Sequence, residues 1–145
     1  MNSKEFDLTR FIEAQADSYA TALSELKSGQ KHSHWMWYIF PQLDGLGHSE
    51  IAKYYAIKSL AEAQQYLNHP VLGKRLLECT AAVLAVEGRT ILDIMGFPDN
   101  LKLNSSMTLF AHIANSNPVF IAVIDKYFAG KQDVKTLQLL ASRID

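Results

Sequence analysis

Along this chain apolar residues recur three and four positions apart, the spacing of a helical face, and not at the alternate positions of a half-buried strand. Leu8, Phe11 and Ile12 behind Asp7 predict a short first helix. Tyr19, Ala22, Leu23 and Leu26 behind Asp17 predict a second, stopped by Gly29. Ser49 is placed to cap "EIAKYYAI", and Ser59 with Glu62 has the spacing of a capping box at the head of "LAEAQQYLN". Pro70 suits the first turn of the long helix that follows. Thr90 and Asp93 open a short helix closed by Gly96, and Pro98 and Asp99 introduce the one that carries "KLNSSMTLF". Asn117 and Pro118 open "VFIAVIDKYFAG", which Gly130 ends. Asp133 caps a last helix with Val134, Leu137, Leu140 and Ala141 inward. "TILDI" and "VFIAVI" are rich in β-branched residues, yet no alternating run is long enough for a strand. The pattern predicts an all-α fold, a single compact multi-helix domain over residues 1–145.

One stretch breaks the amphipathic pattern. Within "KHSHWMWYIFPQL", residues His34 to Phe40 carry no formal charge and include four aromatic rings. A membrane span takes about 20 apolar residues, so this segment is too short to be one. In a helix its side chains point all round the axis, and such a helix, ended by Pro41, is expected to be buried on most sides. The "QLDGLG" that follows is expected to be a loop.

Composition narrows the function classes. The chain has 145 residues, 48% of them hydrophobic, and no linker divides it. Fifteen acidic residues against 14 basic ones give a net charge of −1, without the basic surplus of a nucleic-acid binder or a protein held on an anionic membrane. The N-terminal "MNSKEFDLTRF" is polar and has no apolar core of a signal peptide. Cys79 is the sole cysteine, which excludes an internal disulfide and points to a reducing cytoplasm. It stands in the apolar "LLECTAAVLAV", a setting for core filling and not for a nucleophile.

At "SHWMWYIFPQLDGLGHSEIAKYYAI", "YLNHPVLGKRL" and "KLNSSMTLF" the chain resembles a bacterial family of domains of unknown function, whose members are sometimes automatically labelled "calpastatin". The resemblance covers nearly the whole chain. It implies a compact, all-helical fold and no established reaction, substrate or catalytic residue. Inhibitors of the calpastatin kind are long, disordered, polar segments. The hydrophobic fraction and repeated capping signals here describe a chain that folds alone, so the label is set aside.

Three motifs offer chemistry. Trp35, Trp37 or Tyr38 could wall a pocket whose polar ends are Lys31, His34 and Gln42, although a plain core helix with its indole N–H groups satisfied explains the same residues. Gly45 and Gly47 precede the helix start at Ser49, where free amides could hold an anion. A tight loop is the simpler account, because no nucleotide fingerprint is matched. In the third motif Leu103, Met107, Phe110 and Ala114 form the expected buried stripe, with Lys102, Ser105 and His112 along another side and Ser106 one turn from Lys102. Lysine beside serine is a possible base and nucleophile, or else an anion-binding patch. Otherwise the serines bond back to helix carbonyls. His32, His34 and His48, with Asp44 and Glu50 nearby, lack any recognised metal-ligand spacing, so no metal and no cofactor are expected.

The reading these motifs support is a cytoplasmic domain that binds a small anionic or phosphorylated molecule between the aromatic helix, the glycine loop and the "KLNSS" helix. Hydrolysis or group transfer is the class of turnover such a site would allow. His34 is the leading proton carrier, because imidazole exchanges protons near neutral pH, with Lys102 and Ser105 as further catalytic candidates. The alternative is a protein-interaction module that uses an exposed aromatic surface. The sequence names neither a partner nor an oligomeric state.

Overall fold

The computed structural model describes residues 5–143. The outermost residues of the expected domain, 1–4 and 144–145, lie outside the described residues. Nine α-helices account for well over half of the described residues: α1 (Thr9–Ser28), α2 (Met36–Ile39), α3 (Glu50–Tyr55), α4 (Leu60–Asn68), α5 (Leu72–Ala85), α6 (Ile91–Met95), α7 (Asp99–Ala111), α8 (Val119–Phe128) and α9 (Val134–Ala141). The only β pairing among the described residues is an isolated bridge between Leu43 and Ile57. The fold is all-α and forms one compact domain.

Most helix ends lie where the capping residues put them. Gly29 closes α1 in the left-handed region, and Ser49 accepts from the Ala52 amide at the start of α3. Thr90 and Asp93 complete a reciprocal capping box on α6, and Asp133 accepts from the Thr136 amide on α9. Three expectations are corrected. The first two predicted helices are one. Asp7 accepts from the Thr9 amide, while Asp17 sits on the exposed side of α1 without breaking it. The Ser59 hydroxyl caps the Glu62 amide, but the Glu62 carboxylate turns away to the Lys58 amide at 2.7 Å and to Arg10 at 3.0 Å. On α9, Val134 is 65% exposed and Ala141 is exposed. Leu140 packs inward as expected and is joined by Leu139, beside a buried Thr136.

α1 packs on α5, α5 on α4 and α8, and α7 on α4, α6, α8 and α9. A line of ring contacts joins four of these helices: Phe11 to Tyr66 at 5.0 Å, Tyr66 to Phe110 at 5.6 Å and Phe110 to Phe120 at 5.8 Å. Each such pair contributes about 0.5–1.5 kcal/mol beyond the area it buries. Gln15 is buried among them, and its amide donates to the Tyr38 carbonyl at 2.7 Å and to the Tyr66 hydroxyl at 3.0 Å. That satisfies a polar group that would otherwise be costly to bury. Burial pushes the Cys79 thiol up to about 12, which fits a core side chain and leaves no thiolate to react.

With neighbours on so many sides, α7 is more buried than its sequence implies. Leu103, Met107 and Phe110 are buried as expected, but Ser105, Ser106 and Thr108 are buried too, and Ala114 lies beyond the helix end and is exposed. Ser105 and Thr108 pass inside because they can bond within their own helix. Thr108, for example, donates to the Asn104 side chain at 3.1 Å.

Candidate functional site

The segment between α1 and α2 is shaped by Glu25, in the last turn of α1. Its carboxylate accepts four hydrogen bonds: from the amides of His32 at 2.9 Å and Ser33 at 3.0 Å, from the Ser33 hydroxyl at 2.6 Å and from the Trp35 indole at 2.9 Å. Partial burial pushes this carboxyl up, but the hydrogen bonds, led by that of the Ser33 hydroxyl, outweigh it and hold the group at about 2. Trp35, only 1% exposed, is thereby fixed as the anchor of the aromatic stretch. Met36, Ile39 and Phe40 are buried with it, whereas Trp37 and Tyr38 are half-buried. Sequence reasoning missed Glu25. The available signal was an acid in the last turn of a helix, where the backbone dipole disfavours it unless it has donors of its own.

The same segment delivers Lys31 to α6 and α7. Its amide donates to the Ile94 carbonyl at 2.7 Å, and its side chain, 7% exposed, pairs with Asp99 at 2.9 Å. The ammonium also lies 4.8 Å from the centre of the Trp35 ring. Lys102, one turn along α7, stands 3.9 Å from the other Asp99 oxygen and 5.8 Å from the Trp37 ring. These groups border a cleft of about 390 Å³, where His32 and His34 contribute polar walls and Trp37, Met95 and Phe97 apolar ones. That volume is within the range of small-molecule sites, and the mixture of apolar walls with a few charged groups is of the same kind. Phe97 is 74% exposed at its edge. Two lysines against one aspartate leave the cleft with excess positive charge.

The structure brings Lys31, His34, Trp37 and Lys102 together, but not the rest of the expected set. Trp35 lies in the core. Gln42 and Gly47 line a separate recess of about 10 Å³, whose shared wall with the cleft is Trp37. That is room for about one water. The glycine loop is explained by packing. A Cβ at Gly47 would lie 2.6 Å from that of Ala52, and Gly45, at φ +106°, would bring one to 3.2 Å from Leu139. Arg143 donates to the Asp44 carbonyl at 2.5 Å and holds this loop to the end of α9. Ser49 is committed to its cap. Ser105 donates weakly to the Leu101 carbonyl at 3.4 Å, and the Ser106 hydroxyl is buried with no hydrogen-bond partner among the described residues. The Lys102 ammonium faces Asp99 and Trp37, and neither Ser105 nor Ser106 makes a hydrogen bond to it among the described residues.

A family model described as "Protein of unknown function (DUF1810)" matches residues 5–140. The chain belongs to the DUF1810 family. The crystal structure of the conserved hypothetical protein Rv1873 from Mycobacterium tuberculosis is similar to this DUF1810 chain at a TM-score of 0.93 and 53% identity, over 95% of this chain and 99% of that one. No curated protein matches the DUF1810 chain. Among its described residues no helix is long and apolar enough to cross a membrane, and no three His, Cys, Asp or Glu side chains are grouped to hold a metal. The melting temperature of this DUF1810 protein is therefore expected to be unchanged by chelator. Loss of stoichiometric zinc or iron together with stability would overturn that expectation.

Proposed function

We propose that this DUF1810 domain binds a small anionic or phosphorylated molecule in the cleft between α2 and the start of α7. The observation that carries the reading is Lys102: its side chain is 30% exposed and its contact with Asp99 is long, at 3.9 Å, so it can exchange that partner for a ligand oxygen. Lys31, nearly buried and tightly paired, holds the Asp99 carboxylate in place beside it. The half-buried Trp37 and the exposed Phe97 give a flat or apolar ligand portion two aromatic surfaces. Should the domain turn its ligand over by hydrolysis or transfer, His34, exposed on the cleft wall, is the side chain placed to move a proton. A single buried cysteine suits a cytoplasmic setting.

The alternative, an interaction module, draws its support from Phe97 and Leu101, which are exposed together near the cleft. The aromatic stretch itself supplies less docking surface, because Trp35, Met36, Ile39 and Phe40 are buried and Trp37 and Tyr38 are half-buried.

Thermal shift against nucleotides, sugar phosphates and nucleosides tests the reading, since a ligand that prefers the folded state raises its melting temperature. Anionic compounds are expected to stabilise and uncharged nucleosides to do so less. Lys102→Ala is expected to leave stability within about 0.5 kcal/mol and to abolish most of the ligand-induced shift. Equal shifts in wild type and variant would count against the cleft as the site.

A further inference from the structure

A second cleft meets the first at His34. It encloses about 190 Å³, with Asp17, Ser18 and Thr21 from α1 on one side and Ser33, His34 and Tyr38 on the other. His34 lines both clefts, which makes them neighbours on either side of this residue.

The two clefts differ in chemistry. The first is bordered by lysines. The second has no lysine or arginine in its walls and presents hydroxyls and one carboxylate. Some of these groups are already spent: Ser33 donates to Glu25 at 2.6 Å, and Tyr38 donates to Ser18 at 2.9 Å. What remains is the Ser18 hydroxyl proton and the side chains of Asp17 and Thr21, which stand one helical turn apart on α1 and so share a face. A carboxylate accepts from two hydroxyls, and a serine or threonine hydroxyl both donates and accepts. The Tyr38 ring adds an apolar surface beside them. That combination complements the adjacent hydroxyls and C–H face of a sugar ring. A phosphoryl group would be repelled by Asp17 there but attracted by Lys102 on the other side of His34.

We infer that the ligand is a phosphorylated sugar, bound with its phosphoryl group at Lys102 and its hydroxylated ring at Asp17, Ser18 and Thr21, astride His34. This rests on the reading of the Lys102 cleft as an anion site and names the ligand class. Free sugar phosphates and the ribose phosphate portion of a nucleotide share the required chemistry.

Isothermal titration calorimetry on the full chain with inorganic phosphate, ribose 5-phosphate and AMP tests the inference. Wild type is expected to bind ribose 5-phosphate or AMP at least about tenfold more tightly than inorganic phosphate. Asp17 and Thr21 are exposed, so the double variant Asp17→Asn, Thr21→Val is expected to fold normally. It should erase that preference and leave inorganic phosphate binding unchanged. Preference between ribose 5-phosphate and AMP then identifies the source of the sugar phosphate, and either order supports the inference. If the double variant keeps the full preference while Lys102→Ala weakens all three compounds, the sugar subsite is wrong and the anion site stands. If none of the three binds wild type, the anion site fails and the inference with it.

Discussion

Gly73→Ala is expected to destabilise the protein by about 3 kcal/mol or more, although alanine in a helix is ordinarily favoured over glycine by about 0.5–1 kcal/mol. Gly73 is buried in the first turn of α5, where its amide donates to the His69 carbonyl at 2.9 Å. A Cβ at this position would stand 1.9 Å from the Leu67 carbonyl oxygen and 2.8 Å from its carbon. These are backbone atoms of α4, so no rotamer change relieves the overlap. The two helices would have to separate, and Tyr66, which links Phe11 to Phe110, sits one residue from the contact. Urea denaturation measures the effect as a lower midpoint at similar slope. A midpoint equal to or above that of wild type would show that α4 and α5 are not packed this closely.

Trp35→Ala is expected to cost about 3–5 kcal/mol, the range for a large aromatic removed from a core, whereas the half-buried Trp37 should cost less. Its hydrogen-bond partner provides a second readout. The Glu25 carboxyl sits at about 2 against an ordinary value of 4.5, so the folded state holds its proton less tightly than the unfolded chain. Its stabilising contribution is complete above pH 4.5 and is lost as the pH falls through about 2. Glu25→Ala is expected to cost about 2–3 kcal/mol at neutral pH, a figure reduced for partial solvent screening. The gap from wild type should narrow as the solution is acidified below pH 4.5. Denaturation midpoints across that range would reveal the trend, and a gap independent of pH would mean that the carboxylate does not hold the loop as an anion.

Much of the helical framework was legible because helix ends are local. A serine, threonine or aspartate three residues ahead of its target amide, or a glycine past the last turn, acts over one turn of chain, and Ser49, Thr90, Asp133 and Gly29 all do so. Asp17 misled because the same side chain is tolerated on an exposed helix face when a neighbouring helix holds the turn. Val134 misled because a short helix can rotate to present Leu139 beside the expected Leu140. Lys31, His34, Trp37 and Lys102 were legible as a polar-ended aromatic group. Their separation from Gly47 was not, since the Trp37 ring intervenes only after α3 has packed.

Length, charge balance, capping chemistry and hydrophobic period by themselves determined a single all-α domain and the burial of the aromatic stretch, because these depend on neighbours within a few residues. Tertiary structure alone decided the rest. It chose Trp35 over Trp37 as the buried anchor, gave Glu25 its four donors, enclosed the serines of α7 and set Asp99 between two lysines from distant parts of the chain. Such choices depend on which surfaces meet across long sequence separations, and the free energies that settle them, close packing and the satisfaction of buried polar groups, come into being only when the helices are in contact.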